Sequence, residues 1–272
     1  MLNKKTITLL LKFGIAFFAF LFLFKQLTDR STLVKFNNYG FISQIYSYWY
    51  VIVVVFFMMF INWSVEALKW RFLIKKIENV SILGSLRAVF AGITVSAFTP
   101  NRVGEYGGRV FCLEKADRIQ GVLITVIGSM AQLLTTVIFG LIGIGLMPKY
   151  LPYLSQNIFS VNISPTLLLL CVVIISAVLV FFFLNISYLS RVLSNIRMLE
   201  NYNMYNTVFS FYNKKELLII LFFSILRYIV FSTQFFILLL LFDVNINFYD
   251  ALVLIPTMFF IISIIPSIAI AE

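Results

Sequence analysis

The chain has 272 residues, of which 61% are hydrophobic and 12% charged, and it carries a formal net charge of +10. A soluble domain is about half apolar and about a quarter charged, so a soluble globular fold is excluded. There is no histidine, and Cys112 and Cys171 are the two cysteines. The commonest general base and metal ligand are therefore missing, and neither a disulfide framework nor a metal site is expected. The positive balance points to an anionic membrane surface and to orientation in a bilayer, not to nucleic acid.

In chain order, apolar runs occupy 7–24, 47–74, 121–147, 165–186, 217–242 and 251–270. Runs of about 20 residues cross a hydrocarbon core of ~30 Å. The first is read as a retained helix and not a signal peptide, because it contains Lys12 and no small-residue cleavage site follows it. Lys12 is expected to snorkel or pair. Trp63 and Trp70, late in the second run, are expected to mark the membrane interface. The last run is broken by Pro256 and Pro266. A weaker apolar segment at 84–99, with Arg87 near its start, is too short to span comfortably.

The basic residues set the topology. Lys4, Lys5, Lys75, Lys76, Arg87, Arg102, Arg109, Lys115, Arg118, Arg191, Arg197, Lys214 and Lys215 fall to one side, and Lys25, Arg30, Lys35 and Lys149 to the other. By the positive-inside rule the amino terminus and the charged loops are cytoplasmic, and the protein is multi-pass in the cell (inner or cytoplasmic) membrane. The flanks of 84–99 then lie on the same side, so this segment is expected to be a re-entrant hairpin turning at Thr99, Pro100 and Asn101. Irregular backbone at membrane depth survives when buried in protein or lining a wet cavity. The Pro-broken run at 251–270 is approached from the opposite face. Its sequence SIIPSIAIAE (263–272) parallels SAFTPNRVGE (96–105), which suggests an inverted repeat. The stretch 187–216 is the longest cytoplasmic connection, with a surface helix expected over RVLSNIRMLENY.

The densest polar cluster runs from Thr99 to Arg109. Pro100 ends the incoming helix. Gly104, Gly107 and Gly108 permit a tight turn and close approach. Arg102 and Arg109 offer guanidinium forks suited to phosphate, beside Asn101, and a helix starting near Gly104 would add the partial charge of its amino end. The plain alternative is a cytoplasmic turn with ordinary positive-inside arginines. Glu105 is expected to pair with Arg102 or Arg109, or to act as a gate. Arg227, in the middle of an apolar run, costs at least ~2.5 kcal/mol on insertion scales. It should face the protein interior or a water-filled cavity as part of a headgroup pathway, or else pair with Glu66 or another acid, with Gln234 two turns on. Glu66 and Lys69 have the i, i+3 spacing of a pair; with Arg71 they are read as an anchor, or together with Gln234 as an ion pair or gate.

EALKWRFLI (66–74), the short apolar segment and TPNRVGEYGGRV (99–110) together resemble the lysylphosphatidylglycerol synthase transmembrane region, or flippase-like, family. Its Pro-x-Arg-x-Gly-Glu pattern is met by Pro100, Arg102, Gly104 and Glu105, and a later proline element by IPSIAIAE (265–272), including Pro266. The resemblance covers essentially the whole chain. It implies a polytopic protein that moves lipids across the bilayer. In bifunctional relatives a soluble carboxy-terminal domain makes the lipid; none is found within these 272 residues, so synthase activity is not expected of them. Relatives continue beyond the second motif, so the sequence is expected to be truncated or partial.

The expected fold class is all-α: a polytopic integral membrane protein with about five spanning helices and two re-entrant or broken segments, forming one transmembrane domain over 1–272. The expected function is a translocase for a phospholipid or lipid-linked anionic headgroup, using a cationic intramembrane groove. Arg102, Arg109, Arg227, Glu105 and Asn101 would bind substrate, with no catalytic residue, metal or cofactor. Expected partners are membrane lipids, and a lipid-modifying synthase or a second copy, but no nucleic acid. The alternatives are a membrane-embedded lipid transferase and a partner-anchoring subunit.

Overall fold

A computed structural model of the chain describes residues 47–97, 99, 102–150, 165–187, 207–242 and 244–264. The run 7–24 with Lys12, the predicted surface helix at 191–202, Pro100, Asn101 and the second proline motif with Pro266 lie outside the described residues. So does half of the sequence comparison behind the inverted repeat. The chain divides into two units. The first comprises 1–53 and 241–243, and of it only 47–53 and 241–242 are described. The second, 54–240 with 244–272, holds the packing described below.

The described residues form α-helices α1 (Trp49–Ile74), α2 (Ile82–Ser96), α3 (Gly104–Val110), α4 (Arg118–Tyr150), α5 (Pro165–Leu184), α6 (Lys214–Leu241) and α7 (Phe248–Ile264), with a 3₁₀ turn at Thr207–Ser210. Four of them, α1, α4, α5 and α6, are long and apolar enough to cross a membrane. Many of their large side chains stay outward: Phe181 and Phe182 of α5 are 63% and 68% exposed. A span that is apolar on every face and leaves side chains this exposed calls for lipid around it.

The core lies where α1, α4 and α6 bury Leu73, Ile74, Ile124, Ile127 and Ile220. Trp70 is fully buried there and donates its indole N–H to Thr125 Oγ1 at 3.2 Å. Trp70 is thus packed inside the protein and does not present its ring to headgroups: a buried indole needs an acceptor, and the Thr125 hydroxyl on the facing helix supplies it. Trp63 is half-buried, edge-to-face with Phe60 and Phe90. α7 seats on α4 at Gly143, where a Cβ would fall 2.7 Å from Thr257 Oγ1 and 2.8 Å from Val253 O.

The segment after α1 is a helical hairpin. Ser81 caps α2 by accepting from Gly84 N at 3.0 Å. α3 folds back on α2 backbone to backbone: a Cβ on Gly108 would lie 2.7 Å from Ala91 O and 2.8 Å from Gly92 Cα. The ends of the hairpin meet. The Glu78 carboxylate, just before α2, accepts from the backbone N–H groups of Glu114, Lys115 and Ala116, just after α3, at 3.2, 3.0 and 2.9 Å. Partial burial pushes that carboxyl up, but the three N–H groups outweigh it and hold it below the ordinary carboxylate range. The segment thus leaves and returns at one end of α1, the connectivity a re-entrant hairpin requires. The start of α6 is tied to the same end, through Tyr212 OH to Leu73 O at 2.7 Å and Lys76 to Glu216 at 2.6 Å.

Candidate functional site

A chain of charges runs through the second unit. Glu66, eight residues before the end of α1, sits at its centre. The i, i+3 spacing brings Lys69 Nζ to Glu66 Oε2 at 2.8 Å. Arg109, from α3, places NH1 2.7 Å from Glu66 Oε1. Arg227, from α6, places NH1 3.0 Å from Glu66 Oε2 and donates through Nε to Asn62 Oδ1 at 2.9 Å. Arg109 also pairs with Glu105, one turn back in α3, and Glu105 stands 3.8 Å from Arg102. Three cations therefore meet two carboxylates, with a fourth cation at the rim.

The fold explains the convergence. Backbone contact at Gly92 and Gly108 brings α3 close enough for Arg109 to pass α2: a Cβ on Gly92 would lie 2.8 Å from Arg109 Cγ. Lys69 is steadied at the α4 side, where its ammonium lies 3.5 Å from Gly128 O. Gln234 donates to Val55 O at 3.2 Å, two turns further along α6 and against α1.

Accessibility grades along the chain. The side chains of Lys69, Arg109 and Glu66 are 2%, 4% and 5% exposed; those of Arg227 and Arg102 are 23% and 54%. Ionised groups inside a membrane protein are costly unless paired, and the two innermost cations are both paired with Glu66. The outer two keep surface for a further anion.

Several expected placements change. Arg109 was expected to present its fork to a substrate. Its terminal nitrogens are instead committed to Glu66 and Glu105, so it is a structural member of the cluster, although its buried Nε finds no acceptor among the described residues. The amino end of α3 offers no anion site. Gly104 N donates to Thr99 Oγ1 at 2.8 Å, and the next two N–H groups go to Arg102 O and Val103 O. Gly104 is needed where it stands, since a Cβ would lie 2.7 Å from Val95 O; Gly107, by contrast, borders open space apart from Phe111 at 4.0 Å. Arg71 is absent from the ion chain, its Nε donating to Val80 O at 2.9 Å. Pro100, Asn101 and Pro266 lie outside the described residues.

Asn62 was missed by sequence reading. Its signal was available: a polar residue one turn before Glu66, inside an apolar run. Arg102 carries a further mark, a φ of 55°, the left-handed region where a side chain is normally penalised.

A family model described as the lysylphosphatidylglycerol synthase TM region matches residues 9–271. No curated protein and no solved structure matches the chain significantly.

Proposed function

The chain belongs to the lysylphosphatidylglycerol synthase TM region family, and from that premise we propose that it translocates a phospholipid, or another lipid with an anionic headgroup, across the cell membrane. The observation that carries this reading is the ion chain itself. It holds a cationic excess well below the end of α1: Glu66 lies eight residues before Ile74, roughly 12 Å along the helix at ~1.5 Å per residue.

A headgroup phosphate cannot cross hydrocarbon without compensation, while acyl tails can stay in the lipid beside the helices. The exposed cations Arg102 and Arg227 would take the phosphate in turn. Lys69 and Arg109 would hold the path polar without competing for the substrate, since both are paired with Glu66, and Arg109 with Glu105 as well. Glu105, between Arg102 and Arg109, would release its loose 3.8 Å contact with Arg102 as phosphate arrives. We assign no bond-making step. The amino terminus and the basic loops would face the cytoplasm.

The test is a scramblase-type assay in proteoliposomes with fluorescent phosphatidylglycerol. Arg102→Ala and Arg227→Ala should each lose transport while inserting and purifying normally. Unchanged rates for both variants would refute the site. A covalently altered lipid appearing in the same vesicles would replace translocation with a transferase reading.

A further inference from the structure

A second cationic feature lies outside the ion chain. At the loop end of α1 a cleft of about 520 Å³ opens between α1, the α1–α2 loop and α6. This is within the 300–1,000 Å³ typical of ligand pockets. Its loop side carries Arg71, Lys75, Asn79 and Ser81, and its other wall is Leu68, Phe72, Val80 and Phe223. Among the described residues no carboxylate lines it.

The two cations are available. Arg71 is anchored through Nε on Val80 O at 2.9 Å, which orients the guanidinium and leaves both terminal nitrogens without a partner among the described residues. Lys75 Nζ likewise has none among them. The amino end of the 15-residue α2, capped at Ser81, adds positive potential at the same place.

The polarity of the cleft is graded along α1. Lys75 stands beyond the helix end and Arg71 in its last turn, while Leu68 lies a turn deeper. Phe223 lies deeper still in α6, and the neighbouring α6 surface is apolar and bare: Leu218, Ile219 and Phe222 are 48%, 41% and 61% exposed. A soluble phosphate would have no use for that wall. An amphiphile with its anionic group at the loop end would use both halves.

We propose that this cleft is a docking site for an anionic phospholipid, separate from the ion chain. Its phosphate sits on Arg71 and Lys75, and an acyl chain runs out over Leu68 and Phe223 along α6. Occupancy is an equilibrium property, so the site stands or falls independently of transport.

The test uses the full-length protein in detergent, with retained lipid read by native mass spectrometry and titrated with phosphatidylglycerol or phosphatidylcholine. The wild type should prefer phosphatidylglycerol. Arg71→Gln/Lys75→Gln should weaken that binding by tenfold or more, since each cation near an anionic headgroup contributes roughly fivefold. Leu68→Trp, which blocks the apolar wall and keeps both charges, should weaken it as well. Lys214→Gln/Lys215→Gln, which removes equal charge from an exposed part of α6, should leave it unchanged. Wild-type affinity in both cleft variants overturns the proposal, as does equal loss in the Lys214/Lys215 control. Displacement of the lipid by inorganic phosphate at matching concentration, with Leu68→Trp silent, assigns the cations to a soluble anion and also overturns it. Should Arg71→Gln/Lys75→Gln fail to give a monodisperse protein, Lys75→Gln and Leu68→Trp decide the question alone.

Discussion

Glu66 is the residue on which the largest number of charges depends. It accepts from Lys69 and Arg109 and pairs with Arg227, at 2.8, 2.7 and 3.0 Å. Glu66→Gln keeps the shape and removes the compensating charge, leaving three cations facing Glu105 alone. Breaking a buried ion pair from one side costs about 3–5 kcal/mol. The variant should therefore unfold at clearly lower temperature in detergent and give a reduced yield of monodisperse protein. Glu66→Gln/Arg227→Gln, which restores the balance, should recover part of the loss. A single variant as stable as the wild type would mean that the cluster is not organised around this carboxylate. Part of this was legible in the sequence. Arg227 inside an apolar run has few places to go, and Glu66 is the acid that a neighbouring span offers, so the pair could be anticipated. Arg109 could not be placed the same way. A loop arginine kept by the positive-inside bias looks identical in sequence to one turned inward, and the difference lies in how far α3 folds back onto α2.

At the level of elements, the hairpin of α2 and α3 is where sequence pattern carried furthest. A short apolar segment with basic flanks on the same side required the chain to return, and the Glu78 bonds to 114–116 close that return. The seam was harder to read, because the three glycines after Asn101 look equivalent on paper. They differ in what stands opposite: backbone at 2.7 Å for Gly104 and Gly108, open space for Gly107. Gly108→Ala should force the two helices apart and lose about 1–3 kcal/mol, as overpacked sites do. Gly107→Ala should hold or gain, up to about 1 kcal/mol, because alanine is the better helix residue. Thermal unfolding of the two variants side by side checks this, and equal effects would show that the seam is not the tight contact it looks to be. The Gly108 variant should lose transport too, since it displaces Arg109 from Glu66.

For the second unit as a whole, the bonded ends settle which loops share a face. Glu78 joins the end of α1 to the start of α4, and Tyr212 and Glu216 join it to the start of α6. Lys75, Lys76, Lys115, Arg118, Lys214 and Lys215 are therefore gathered at one end of the bundle, as the charge count required. α6 then runs 28 residues away from that end, about 42 Å at ~1.5 Å per residue, which is more than the hydrocarbon thickness. Asn247, just before α7, belongs to the opposite face. Single cysteines placed in a Cys112→Ser/Cys171→Ser background should report this directly. In intact cells a membrane-impermeant maleimide should label Asn247→Cys and leave Lys115→Cys and Lys214→Cys untouched until the membrane is opened. The reverse pattern would invert the orientation while preserving the arrangement. Labelling of all three from one side would break the arrangement itself, and with it the placement of the Arg71–Lys75 cleft and the basic loops in a single leaflet.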